Sequence, residues 1–487
     1  MSLWERIARG VKATFAANVI KFVANVVILV LLTRVFLTPE EYGRLFLAIS
    51  VFSVAGLLAT LGIGKSAARY LTDFRKKEAE QIHHILTTSI AFLSVTTAIV
   101  SVSLGVFAPQ IASVFDEPGL EPLILVGMLY VVFKAASSYL RLSFQGFGRV
   151  PLSAVQRIVT KAGELLFITL FLALGFGEIG ALWGFLGGMA IGVVVGTYLL
   201  YRIAAAYPST GSIEPGLRRR IAEYSVPLAA TKSANILYKR VDTLMIGFFL
   251  SPVAVGFYEL AKQVAMAVQA PASSLGFTVA PTYGEHKTGD ELETAARVYE
   301  QTFEYILLLY LPAVAGIVLL AEPGIRHIFG PDYLGAVPVL MVFSGFALFQ
   351  AIDKITNDSL DYLGRGRERA IGKVSTAVLN FFLNLVLIPT IGIVGAALAT
   401  VCSFGAMVLY NIYLMNTEVP LRISRMGRSV VRTAGIALLM ALVVFVSGTY
   451  VDGVISLFAT IATGVATWAV LSVLSGLIDP GRVLNHM

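Results

Sequence analysis

Seven cationic side chains, Lys21, Lys134, Lys232, Lys239, Arg240, Lys262 and Lys354, lie inside apolar runs of this chain. Facing lipid at the centre of a span, each would cost about 2.5–3.5 kcal/mol. Together that is roughly 20 kcal/mol, more than the net stability of an ordinary domain. They must therefore face water or partners inside a helical bundle. Four deep acids accompany them, Glu164, Asp242, Glu259 and Asp353, which leaves the interior net positive by about three charges. Lys239 and Asp242 are three residues apart, as are Glu259 and Lys262, so each couple shares a helix face and can pair. Asp353 and Lys354 adjoin and point to different sides. The plain reading is a set of ion pairs holding helices together; the reading favoured by the excess of cations is a wet, net-positive cavity for an anion. Lysine and arginine are the side chains that recognise phosphate. Residues 239 and 240 are separated by about 100° around a helix. Because Lys239 has Asp242 as a neighbour, Arg240 is the expected phosphate contact. Asn235, Tyr238, Gln263, Gln269 and Gln350 are on or near the same spans and could meet a hydroxylated group. Glu164, Asp242 and Glu259 could carry a coupling proton.

Composition then defines the elements that position these charges. The chain has 487 residues, 57% hydrophobic and only 14% charged, with a mean hydropathy of +0.80. Soluble chains carry about a quarter charged residues, so a soluble enzyme, a secreted domain and a disordered tail are excluded. At about 20 residues per crossing, the pattern yields an all-α polytopic membrane protein with about fourteen spans. The single cysteine, Cys402, and five scattered histidines offer neither a disulfide framework nor a metal site with ligand spacing. No cofactor is expected beyond possible H+ or Na+ coupling. The stretch MSLWERIARGVK reads as an interfacial helix leading into the first span, not as a cleaved signal.

The cations also set orientation. Twenty-seven of the 37 lysines and arginines fall in loops on the side of the N-terminus, and the opposite loops hold Arg326 alone among acids such as Glu40, Glu41, Asp116, Glu117 and Glu178. Positive loops stay inside, so both termini are expected to be cytoplasmic, in the cell membrane. The formal charge of +7 is then topology rather than a nucleic-acid footprint. Arg34 and Arg44, near span ends, are expected to snorkel.

The sequence repeats itself. LTPEEYGRLFLA, Leu37 to Ala48, aligns with LSPVAVGFYELA, Leu250 to Ala261, at an offset of 213 residues. QGFGR from Gln145 echoes LGRGR from Leu363, and IGAL from Ile179 echoes VGAA from Val394. Three echoes in one order imply a duplication with a period of six spans. The expected domains are a six-helix lobe over 1–214, a second over 215–428, and two additional helices with a short cytoplasmic tail over 429–487. An even period gives both lobes the same orientation, the parallel-repeat arrangement in which substrate binds between repeats.

A chain of six, six and two spans, opening with a basic stub and LLTRVFLTPEEYGRLFLAIS, resembles the polysaccharide-export flippases of the multidrug/oligosaccharidyl-lipid/polysaccharide exporter superfamily. LGIGKSAARYL at the end of the second span is similar to their second-span ending. The resemblance covers essentially the whole chain. It implies a transporter, not an enzyme, that moves a polyprenyl-(di)phosphate-linked oligosaccharide to the outer leaflet by alternating access. Implied partners are that lipid-linked sugar, membrane lipids and glycosyltransferases or a polymerase of the same pathway. With both lobes in one chain, a monomer is expected.

Two motifs point elsewhere and are set aside. Ala59 to Ser66, ATLGIGKS, fits a relaxed phosphate loop, but that loop needs a strand before it and a membrane span stands there. Asn357-Asp-Ser359 matches a glycosylation sequon on the expected cytoplasmic side. The main rival is a cation-coupled multidrug exporter of the same fold, which would be expected to show an acidic cavity. A membrane-embedded glycosyltransferase or polymerase would need large outer loops, and a peptidoglycan-precursor flippase is a further variant.

Overall fold

The computed structural model describes residues 19–20, 22–209, 212–269 and 292–477, without the side chains of 230–235, 237, 238 and 362. All regular structure among these residues is helical. The helices of the first half are α1 (22–36), α2 (Pro39–Thr60), α3 (Ile63–Lys77), α4 (Gln81–Val106), α5 (Ala108–Val114), α6 (Leu120–Gly146), α7 (Val150–Ala173), α8 (Gly177–Ala204) and α9 (Leu217–Phe249). Then follow α10 (Pro252–Ala267), α11 (Leu292–Gly324), α12 (Val337–Tyr362), α13 (Gly366–Glu418), α14 (Ile423–Gly448) and α15 (Val454–Leu474). Nine described helices are long and apolar enough to cross a membrane. Helices α7 and α9 are not among them because they carry charge: Arg157, Lys161 and Glu164 in one, Lys239, Arg240 and Asp242 among others in the second. The expected spans fall on these helices, in part where residues lie outside the described set. The chain is a multi-pass membrane protein.

Helix α13, 53 residues long, is long enough for two of the expected spans and is broken at Ile391 and Gly392, where Gly392 takes φ 66°. The break lies two residues after Pro389, which cannot donate to the ladder.

The first repeat echo is a shared helix start. Thr38 caps α2: its Oγ1 accepts from the Glu41 amide at 3.3 Å, and the Glu41 carboxylate accepts from the Thr38 amide at 2.9 Å. At the matching position, Ser251 Oγ accepts from the Ala254 amide at 3.3 Å. The second copy has Ala254 where the first has Glu41, so only half of the reciprocal cap survives. Pro39 and Pro252 both occupy the first helical position, where a missing N–H costs nothing.

The second echo is a shared helix end, in a register different from the one the letters suggest. Gly148 and Gly364 both have positive φ, at 67° and 84°. The Arg149 amide donates back to Phe144 O at 2.8 Å and the Arg365 amide to Leu360 O at 3.0 Å. These are six-to-one bonds closing a helix through a left-handed glycine. The equivalent residues are thus Arg149 and Arg365, not Arg149 and Arg367. The third echo marks close approach: a Cβ on Gly180 would meet Phe176 at 2.6 Å, and one on Gly395 would meet Leu387 O at 2.2 Å.

Two compact units divide the chain, 1–256 and 257–487. In the first, α9 packs on α2 and α3, although by sequence it opens the second repeat. Ser66 Oγ donates to Ile221 O at 2.9 Å across that contact. This fully buried serine is occupied by backbone and follows a helix rather than a strand, so the phosphate-loop resemblance has no structural basis. The two homologous starts also touch within this unit. A Cβ on Gly43 would lie 1.7 Å from Pro252 O, and one on Gly256 would lie 2.2 Å from Pro39 O. Backbone replaces side chains at this crossing, as in tightly packed membrane helices.

Gly43→Ala and Gly256→Ala should each lower the thermal midpoint in detergent by several degrees, since neither carbonyl can yield without moving a helix start. Gly435→Ala, in open space on α14, should leave it unchanged or slightly higher. Thermal unfolding of the three purified variants separates the cases.

Candidate functional site: a cationic cavity in the first unit

Helix α6 turns Tyr130, Lys134, Ser138 and Arg141 to one side by their spacing of four, four and three residues. These four side chains border a cavity of about 270 Å³ in the first unit. Ser53 and Thr60 of α2 and Lys239 and Arg240 of α9 complete its polar lining. Four cations therefore meet there, and no Asp or Glu stands among the described lining residues. Tyr130 offers its ring to Lys134, with Nζ 5.8 Å from the centroid, and Arg240 Nη1 reaches Ser50 Oγ at 3.5 Å. The Ser53 and Thr60 hydroxyls donate to their own helix, to Ile49 O at 2.7 Å and Gly56 O at 2.9 Å. The Ser53 hydroxyl keeps lone pairs that can accept from a hydroxylated ligand.

Of the sequence-derived candidates, Lys134, Lys239 and Arg240 are thus brought together, and both 239 and 240 border the cavity. Lys262 and Lys354 are in the second unit. Lys262 donates to Glu259 at 2.6 Å, the in-helix couple expected from the spacing, and sits 5.3 Å from the Tyr258 ring centroid. Lys354 pairs with Asp358 at 2.8 Å, while Asp353 takes the opposite side and accepts from Asn411 Nδ2 at 3.0 Å. Asp242 is buried on α9. Lys21 and the side chains of Lys232, Asn235 and Tyr238 lie outside the described residues.

Sequence reasoning missed two features. The first is Arg141, counted as a loop charge but carried inside α6 on the cavity wall; its spacing of seven from Lys134 was the available signal. Lys161, counted the same way, is in α7 and forms an ion pair with buried Glu164. The second is Arg44, which does not snorkel. It binds Glu40 at 2.6 Å, Glu178 at 2.7 Å and Glu117 at 3.3 Å, tying α2 to the turn before α6 and to the first turn of α8. Only the fold reveals this, because residues 44, 117 and 178 are far apart in sequence. In the second unit, buried Glu300 of α11 accepts from the Arg422 amide at 2.7 Å, a carboxylate capping the start of α14.

The second unit holds a different cavity, about 490 Å³, formed by α10, α11, α14 and α15. Its walls are apolar, with Leu309, Ile317, Met440, Val444 and Leu457 among them. Trp468 fastens α15 there by donating to Leu308 O at 2.8 Å.

A helical multi-pass fold with buried charge and two chemically opposite cavities is that of a membrane transporter. Residues 7–286 match the family described as polysaccharide biosynthesis protein, and residues 157–463 match that of the lipid II flippase MurJ. The chain belongs to the polysaccharide biosynthesis protein family, within the multidrug/oligosaccharidyl-lipid/polysaccharide exporter superfamily. A probable low-salt glycan biosynthesis flippase, Agl15 of Haloferax volcanii, is 24% identical over 90% of both chains. The lipopolysaccharide biosynthesis protein WzxC of Escherichia coli is 23% identical over 72% of this chain and 69% of its own. In fold, the chain is similar to the lipid II flippase MurJ in an inward closed conformation. The TM-score is 0.77 at 16% identity, over 96% of this chain and 98% of the other. An inward-facing multidrug MATE transporter matches at a TM-score of 0.62 and 16% identity, over 84% and 96%.

Arg44→Ala would leave Glu178 and Glu117 without their shared cation and should destabilise the protein by about 3 kcal/mol. Adding Glu178→Gln to Arg44→Ala should recover part of that loss. A double-mutant cycle of detergent melting points measures the coupling.

Proposed function

We propose that this protein is a flippase that carries a lipid-linked oligosaccharide, joined to its polyprenol through a (di)phosphate, from the cytoplasmic to the outer leaflet. The observation that carries this reading is the first-unit cavity, where Lys134, Arg141, Lys239 and Arg240 converge with no acid among the described lining residues. A phosphate ester is the anion that such a set neutralises. Relatives named as glycan and lipopolysaccharide proteins support the same substrate class. The apolar cavity of the second unit suits a polyprenyl chain, because its walls are as apolar as the lipid tails the chain would leave. The repeats over 1–214 and 215–428 are the two lobes of an alternating-access cycle, with both termini cytoplasmic in the cell membrane. The remaining candidates, Lys21, Lys232, Lys262 and Lys354, serve the substrate path or stand in ion pairs. Glu164, Asp242, Glu259 and Asp353 are the groups open to H+ or Na+ coupling, and pathway glycosyltransferases or a polymerase supply and consume the substrate of a monomeric carrier. The fold is shared with multidrug exporters, but a cavity lined by four cations repels a cationic drug.

Arg240→Ala should abolish glycan export while expression and membrane insertion stay near normal. Arg367→Ala, which removes an exposed charge in the first turn of α13, should have little effect. Accumulation of lipid-linked oligosaccharide on the inner leaflet of cells carrying each variant is the readout. Equal export by the Arg240 variant and the unaltered protein would remove that residue from the site.

A further inference from the structure

Arg141 is held differently from the lysines that pair along their own helix. Lys161, Lys262 and Lys354 each pair with a carboxylate of their own helix, whereas Arg141 forms no ion pair among the described residues. Its partner is neutral: Arg141 Nη1 donates to Ser137 Oγ at 2.8 Å, one turn back on α6. Ser137 Oγ also accepts from Gln156 Nε2 of α7 at 2.9 Å. Gln156 is fully buried, and its Oε1 has no hydrogen-bond partner, so the amide is fixed by packing and by this one bond. A second α7 residue, Ser153, donates from Oγ to Arg141 O at 2.9 Å. Helix α7 thus holds Arg141 directly at its backbone through Ser153, and its side chain indirectly, through Gln156 and Ser137. The grip orients the guanidinium without neutralising it.

A charge held rigidly in a membrane span is costly unless an anion completes it; Glu164 of α7 attracts Arg141 through space, but it is already paired with Lys161, and Arg157 opposes it. The guanidinium has five N–H donors, and the cavity it borders contains no described carboxylate to take those that Ser137 leaves. Lys134 is seven residues away on the same face of α6, about 10 Å along the helix axis. The two therefore form separate stations of one wall rather than a single clamp, with Arg141 nearer the end of α6 that leads to the Gly148–Arg149 turn.

We propose that Arg141 is a headgroup-binding residue of the transport path, the first cation to engage a (di)phosphate entering from the Gly148–Arg149 end. Ser137 and Gln156 are positioning residues that aim its guanidinium. The proposal rests on the anion-cavity reading above and names a contact that reading alone does not require. A diphosphate carries more negative charge and more acceptor oxygens than a monophosphate, so the N–H donors that Ser137 leaves raise its affinity more.

The test uses the full-length protein in nanodiscs, with farnesyl diphosphate and farnesyl monophosphate as probes, and reads Kd together with the melting point. Arg141→Ala should weaken diphosphate binding about tenfold and monophosphate binding only about threefold, at an unchanged melting point. Arg141→Lys, which keeps the charge and loses the fork, should recover most of the monophosphate affinity and little of the diphosphate preference. Gln156→Leu should shift the diphosphate preference in the same direction by a smaller factor. Unchanged diphosphate binding in Arg141→Ala, with a loss in Lys134→Ala, would overturn the role of Arg141 and leave the cavity reading intact. Equal loss for both probes with a lower melting point in Arg141→Ala and Arg141→Lys alike would make the residue structural. Failure of the unaltered protein to bind either probe would overturn both readings together.

Discussion

Removing a charge from water costs several kcal/mol, and a chain with this many helices in a bilayer has few ways to meet that cost. The described charges use three of them. Some pair along their own helix, as Lys161 with Glu164 and Lys262 with Glu259 do. Arg44 gathers three carboxylates from three chain segments and locks α2 against its neighbours. A third set, Lys134, Arg141, Lys239 and Arg240, borders a cavity. The first two solutions build the scaffold; the third leaves positive potential for a ligand. Helices α7 and α9 depend on this partition most, because their charge makes them poor spans unless neighbours cover them.

The same local chemistry is used twice along the chain. A hydroxyl cap with proline behind it starts α2 and α10, and a left-handed glycine ends α6 and α12. The break at Gly392 lets α13 do the work that α7 and α8 do as separate helices. Where the two copies of the helix start meet, glycine removes the side chains and backbone packs on backbone. That contact is available only because both copies keep glycine at the same step, Gly43 and Gly256.

Much of this was legible in the sequence. Apolar run length gave the helices, and the proline and glycine echoes gave the repeat, since turn chemistry is written in a few adjacent residues. The letters misplaced the second echo by two positions because Gly364 and Gly366 look alike until φ distinguishes them. Charge counting found Lys134, Lys239 and Arg240. It assigned Arg141 and Lys161 to loops because they stand near span ends, where helix length is the least certain quantity. The Arg44 cluster and the Arg141–Ser137–Gln156 chain join residues from different helices, and no local pattern encodes such contacts.

The central claim is that the phosphate of a lipid-linked sugar, more than its lipid or its sugar, is what the cationic cavity selects. Proteoliposomes containing the purified protein and a fluorescent polyprenyl-diphosphate oligosaccharide, compared with the same polyprenol bearing its oligosaccharide through a neutral ether, test this directly. The account predicts saturable transbilayer movement of the diphosphate lipid and none above protein-free vesicles for the neutral one. Equal rates for the two lipids, or movement of a cationic dye in place of either, would contradict it.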